Sequence, residues 1–511
     1  MSKKNIIKGA AILTAANLIT RLMGFFNRVY MSNAIGIEGM GLYQLVMPIY
    51  ILSWSITSSG FSTTISRITA KENAKRHYGN ISKTVKVSVC ICILISIIVS
   101  TVMYFGADFI AVSIIKDSRT AISMRILAIA VPFMAAGSCL RGYFLGMQQH
   151  VVPALSQVLE QTVRIIIIVV LSPLLAEKGL EYGCAAAITG VLLGEAISCL
   201  FTVICYKGFS KKAKYTYSDD LSTAKCTALI LSMAIPLSAT RISSSLLSAL
   251  ENILIPQKLQ LYGLSSQAAM STFGNITGMA LPLIQLPSSF LMAISTTLVP
   301  ALSETQATGS ISKSAYVAEK SLKFTIVTGL CFTGIFMLFP HEICQIVYSK
   351  KELGDTLIKL AVICPFLYLQ ITMAGILNGL GCHNFIFKTS LLASAINLSF
   401  IYFIMTIIGT DAFIIGLTIS LVTIVLLGIH NINRLINLRF SFIKSFFVPL
   451  ICTCVSFFAV KTLTFEKSLS VYMVLFNMLI FCIIYVSLLL ITGAITKRDI
   501  TAVMPKIKRH H

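Results

Sequence analysis

The chain is short of acid. Only 19 of its 511 residues are Asp or Glu, against 41 Lys and Arg, and charged residues make up 12% of the total. A water-soluble domain carries roughly twice that share, so this composition cannot furnish a soluble surface. Metal and disulfide frameworks are also missing. Seven His are scattered without ligand spacing, and the fourteen Cys form no C-x-x-C. Most lie inside apolar runs, among them Cys90, Cys92, Cys331, Cys452 and Cys454. Partners two residues apart point to different sides of a helix, which leaves them as small buried hydrophobes. No G-x-x-x-x-G-K-[ST] loop occurs, nor a polar segment in which one could fold, and this excludes nucleotide hydrolysis. Without a clustered His, Ser or acid constellation the chain is not expected to be an enzyme, and neither cofactor nor metal is expected. The net charge of +22 would suit nucleic acid, but no recognition module accompanies it, so nucleic acid is not an expected partner.

What the chain has in abundance is hydrocarbon. Apolar residues make up 56%, and the mean hydropathy is +0.86. They fall in blocks of about 20, the length that crosses ~30 Å of lipid at ~1.5 Å per residue. The pattern predicts an all-α polytopic membrane protein with about 14 spans. These are 6–32, 41–66, 87–113, 122–145, 153–176, 182–205, 226–253, 275–301, 319–339, 356–380, 388–408, 412–430, 445–463 and 469–493. Short connections make neighbouring spans antiparallel. The start, with Lys3 and Lys4 before an apolar run, resembles a signal peptide. Arg21 and Arg28 follow at once without a convincing cleavage site, so it reads as an uncleaved first span.

Lys and Arg collect on one side. With the N-terminus inside, about 26 of the 41 lie in cytoplasmic loops and about 10 outside, the bias of the positive-inside rule. Both termini are therefore expected in the cytoplasm of a cell membrane. A weak repeat appears at an offset of about 220–235 residues. Thr20-Arg21 recurs as Thr240-Arg241, Met47-Pro48 as Leu281-Pro282, Thr63-Thr64 as Thr296-Thr297, and Pro132-Phe133 as Pro365-Phe366. A six-span unit returns the chain to its starting side, so the two copies share one orientation. The expected organisation is an N-terminal lobe (1–205), a C-terminal lobe (206–443) and two extra helices with a basic tail (444–511).

Charges inside an apolar span are costly and point inward. Arg21, Arg28, Arg141, Arg164 and Arg241 lie within or close to spans. Arg21 and Arg28, nearly two turns apart, share a helix face. Arg241 takes the place of Arg21 in the second copy. Guanidinium forks bind phosphate bidentately and stay charged, so these three suit a cleft for an anionic substrate. Glu160 precedes Arg164 by four residues, the favourable order for an ion pair, and the pair reads as structural. The second span is rich in polar groups, Gln44 among them, which suits the wall of a wet cavity.

The stretches Arg21-Leu-Met-Gly24-Phe25, Arg28, Gly39-Met-Gly41-Leu42-Tyr43-Gln44 and Pro48-Ile-Tyr50 resemble the polysaccharide-exporter branch of the multidrug/oligosaccharidyl-lipid/polysaccharide flippase superfamily. Ile235-Pro236-Leu237 with Arg241, Gly278 to Pro282 with Pro287, and Leu298 to Glu304 extend the resemblance along the chain. It implies fourteen helices as two sixes plus two. It also implies export of a polyprenyl-pyrophosphate-linked saccharide, such as the peptidoglycan precursor lipid II for spore cortex, with envelope-synthesis enzymes as further partners. Lipid II flippases carry Ser-Arg-x-x-Gly-Phe-x-Arg-acid in the first span. Arg21, Gly24 and Phe25 match, but Asn27 stands where Arg is expected and Arg28 follows it, about 100° further round the helix. The acid of that motif is replaced by Leu42, with Glu38 nearby. The expected substrate-binding set is thus Arg21, Arg28, Arg241, Asn27 and Gln44, in a flippase working by alternating access. The alternative is a cation-coupled drug antiporter of the same superfamily, which the scarcity of acids disfavours.

Overall fold

The computed structural model describes residues 3–212, 222–308, 310–438, 442–463 and 471–494. These residues are helical almost throughout and include no strand. Helices satisfy every backbone hydrogen bond within one segment, the requirement for any single element crossing lipid. Residues 213–221 of the basic loop after the sixth span and the tail 497–509 lie outside the described residues.

Contacts divide the chain into two compact units, Met1–Met279 and Ala280–His511. The first holds α1 (Lys3–Ala34), α2 (Gly36–Thr57), α3 (Ser59–Ala74), α4 (Tyr78–Phe105) and the single turn α5 (Ala107–Phe109). It continues with α6 (Ala121–Gly146), α7 (Val151–Ala176), α8 (Leu180–Lys212), α9 (Thr223–Leu261) and α10 (Ser266–Phe273). The second holds α11 (Leu281–Ala307), α12 (Ile311–Leu338), α13 (Pro340–Tyr348), α14 (Leu353–Ala361) and α15 (Cys364–Gly379). There follow α16 (His383–Ser399), α17 (Met405–Ile408), α18 (Thr410–Ile436), α19 (Phe442–Leu463) and α20 (Val471–Ile491).

Among the described residues twelve helical segments are long and apolar enough to cross a membrane, with α14 and α15 a thirteenth, bent by 55°. The twelve do not include α1, whose 32 residues span about 48 Å. Counting it, fourteen helices have the length to cross.

Lipid offers apolar helices no hydrophobic reason to associate, so close packing through small residues and hydrogen bonds must do it. In the first unit, the α-carbon of Gly60 lies against the Ala234 carbonyl and the Ser238 side chain of α9. Further along, Gly41 lies against the Met270 carbonyl of α10. The Ser55 and Ser245 hydroxyls meet at 2.6 Å between α2 and α9. In the second unit, Tyr368 donates to the Ile284 carbonyl (2.8 Å), and the Thr325 and Thr372 hydroxyls join α12 to α15 at 2.7 Å. Tyr485 ties α20 to the Val327 carbonyl of α12 (3.1 Å).

The seventh span, α9, thus packs on α2 and α3 within the first unit, whereas the repeat groups it with the helices that follow. The two divisions record different things. Contacts report which helices touch in this conformation, and a repeat reports which helices are alike. The lobe boundaries after 205 and 443 stand as our proposal.

Candidate functional site

The site begins with two glycines. A methyl group on Gly190 or Gly194 of α8 would come within 3.0 Å of the Arg164 carbonyl oxygen or 2.9 Å of that of Glu160. Their absence of a side chain lets α7 and α8 lie backbone to backbone, with Glu160 and Arg164 beside Glu195. Arg164 donates to Glu160 at 2.8 Å, and the two side chains are 11% and 13% exposed.

Glu195 is 3% exposed, in the middle of α8. Its Oε1 accepts from the Tyr50 hydroxyl of α2. Its Oε2 is buried and has no partner. One helical turn on, Ser198 accepts a 3.3 Å hydrogen bond from Arg141 of α6. Glu195, Tyr50 and Arg141 border a cavity of about 470 Å³ whose polar wall also includes Asn17, Trp54 and Gln157. Leu145 and Pro153, on either side of the turn at 147–150, also line it, so it lies toward the end of the bundle that holds this turn.

Arg241 of α9 stacks on Trp54, with Cζ 5.3 Å from the ring centroid. Asn17 lines the cavity, and Arg21 follows one turn along the same face of α1. Arg21 and Arg241 are exposed and Arg28 is half-buried. None of the three has an acidic partner among the described residues, whereas Arg164 pairs with Glu160, Arg119 with Glu38 and Asp117, and Arg125 with Asp108. An exposed guanidinium well inside a spanning helix is expensive against lipid, so its exposure marks an aqueous face.

The two remaining expected ligands are engaged within the helices. Asn27 is buried, with its amide 3.8 Å from the Met31 sulfur and its carbonyl oxygen unpartnered. Gln44 donates to the Thr277 carbonyl at 2.7 Å. Thr277 sits in a π-helical turn, Gly274–Ala280, a local widening of the helix that is found mostly as single turns inside longer helices. The structure therefore brings Asn17 to the cavity, sets Arg241 over its Trp54, and gives Gln44 a task in holding α2 to the start of the eighth span.

Glu195, Tyr50 and Trp54 were not among the residues expected from sequence. The signal for Glu195 was present: a lone acid in the run Gly190-Val-Leu-Leu-Gly-Glu195-Ala-Ile, and an ionisable group inside a span is a functional candidate by default. At the opposite end of this unit, Arg119 bridges Glu38 of α2 and Asp117, both at 2.7 Å, beside a second cavity of about 610 Å³. Among the described residues no three His, Cys, Asp or Glu gather closely enough to hold a metal.

This arrangement of helices is that of a polytopic α-helical membrane protein. A solved structure titled "Lipid II flippase MurJ, inward closed conformation" superposes with a TM-score of 0.74 at 15% identity, covering 96% of this chain and 100% of the other. An inward-facing multidrug resistance MATE family transporter of the MOP superfamily superposes at 0.66 and 16% identity, covering 83% and 98%. At such identities the likeness is one of fold. In sequence, the chain belongs to the family described as "Polysaccharide biosynthesis protein", which it matches over residues 6–306. It is also 28% identical to Stage V sporulation protein B of Bacillus subtilis (strain 168), over 89% of each chain.

Proposed function

We propose that the protein is a flippase that exports a polyprenyl-pyrophosphate-linked saccharide across the cell membrane by alternating access. The observation that carries this reading is selective pairing. Arg119, Arg125 and Arg164 are neutralised by acids, and Arg21, Arg28 and Arg241 are left without one in the described structure. Free guanidinium groups on an aqueous face suit a pyrophosphate, which they can hold bidentately at any physiological pH. The likeness to a lipid II flippase and the similarity to a sporulation protein support a peptidoglycan precursor, lipid II in a spore-forming cell, as the cargo. With both termini cytoplasmic, an inside-negative potential would assist export by ~2.3 kcal/mol per uncompensated negative charge per 100 mV.

Purified protein in liposomes carrying a fluorescent polyprenyl-pyrophosphate disaccharide tests the proposal. Movement between leaflets should exceed that in empty liposomes, and Arg21→Ala and Arg241→Ala should each slow it at least about tenfold, the effect of one lost charge-assisted hydrogen bond. Transport at the wild-type rate in both single variants and the double variant would remove the cationic site. Glu195 supplies a buried acid inside a span, the kind of group a cation-coupled antiporter needs, and efflux of an organic cation abolished by Glu195→Gln would favour that reading instead.

A further inference from the structure

The flippase reading leaves the cavity beside Glu195 without a task. A carboxylate oxygen that is buried and unpartnered costs more than a neutral polar group in the same position, and a neutral one already costs about 1–3 kcal/mol. Glu195 Oε2 is such an atom, on a residue that contributes to the lining of a 470 Å³ cavity. That volume lies within the range of small-molecule sites, roughly 300–1,000 Å³. Beside the apolar Leu13, Ile51, Leu145 and Pro153, the lining offers an indole, a phenol, two carboxamides and a guanidinium, from Trp54, Tyr50, Asn17, Gln157 and Arg141. An aromatic platform ringed by planar hydrogen-bonding groups fits the apolar C–H face and polar rim of a sugar.

A cationic ligand would also suit an indole and a carboxylate, but the local charge opposes it. Arg141 lines the cavity, Arg241 already lies over Trp54, and Glu160 is paired to Arg164. Three arginines stand against two glutamates. What Glu195 lacks is a neutral donor.

We infer that this cavity is a saccharide subsite. Trp54 is the platform, and the free Glu195 oxygen accepts from a sugar hydroxyl or an N-acetyl N–H. Tyr50, which donates to the other oxygen, is a positioning residue. The inference rests on the flippase reading for its choice of sugar, and it adds a headgroup site to the arginines that would hold the pyrophosphate.

Trp54 is the only tryptophan in the chain, so intrinsic fluorescence reports on this one cavity. The experiment titrates the purified full-length protein in nanodiscs with N,N′-diacetylchitobiose, and separately with inorganic pyrophosphate and with tetraphenylphosphonium. The disaccharide should change Trp54 emission saturably. Glu195→Gln, which puts an N–H where an acceptor is needed, should weaken that response at least about tenfold. Gln157→Ala and Tyr50→Phe should weaken it less, and they carry the same test if the Glu195 variant does not fold. No saturable response to the disaccharide, equal affinity in wild type and all three variants, or a response to tetraphenylphosphonium or to pH alone would overturn the subsite. Transport is assayed on the same preparations. Sugar binding without transport would sink the flippase reading alone, and transport without sugar-dependent emission would sink the subsite alone.

Discussion

Single residues in this protein differ chiefly in whether their charge is matched. Glu160 and Arg164 are both nearly buried, and removing one partner leaves the other charged in a poor environment. Arg164→Ala should lower stability by about 3 kcal/mol, whereas Glu160→Gln with Arg164→Gln should recover much of that loss. Thermal unfolding in detergent, followed by helical circular dichroism, would show it; equal losses in the single and double variants would contradict the argument. Arg241→Ala belongs to the other class. It removes a cation–π contact worth about 0.5–1 kcal/mol and no ion pair. Stability should fall only slightly, while Trp54 emission shifts because its charged neighbour is gone.

At the scale of helices, the first unit is held by places where no side chain intervenes. Gly60 abuts the Ala234 carbonyl, and Gly24 has no atom within 4 Å of a notional side chain. Gly60→Val should therefore cost about 1–3 kcal/mol by overpacking. Gly24→Ala should be neutral or stabilising by up to about 1 kcal/mol through helix propensity. Melting temperatures of the two variants in one detergent decide the matter, and a Gly60 variant as stable as wild type would mean that α3 and α9 are not in contact in the membrane. The length and apolarity of these helices were legible in sequence, as was the meeting of Glu160 with Arg164, because both follow from local spacing. The contacts of Gln44 and Trp54 were not. Their partners, Thr277 and Arg241, come from helices remote in the chain.

For the molecule as a whole, the distribution of Lys and Arg predicts which side of the membrane each turn occupies. The turns at 75–77 and 147–150 should be cytoplasmic, and Lys116, in the turn between α4 and α6, should be external. In a variant lacking the fourteen native Cys, Lys116→Cys should react with an impermeant maleimide in intact cells. Lys75→Cys should react only after permeabilisation, and the reverse pattern would invert the topology. With that orientation the cavity beside Glu195 lies in the cytoplasmic half, where a newly made lipid-linked precursor would enter.

Composition and the ~20-residue period settled the class of protein, the helical fold and the approximate number of spans, because a bilayer leaves a chain so apolar few alternatives. The motifs around Arg21 carried the family. Which arginines remain unpaired, and that Glu195 keeps an unpartnered oxygen beside the only tryptophan, came from the tertiary structure. Pairing depends on which helix faces are pressed together, and that is decided by glycines such as Gly60, Gly190 and Gly194, through contacts between segments that the local pattern of the chain does not encode.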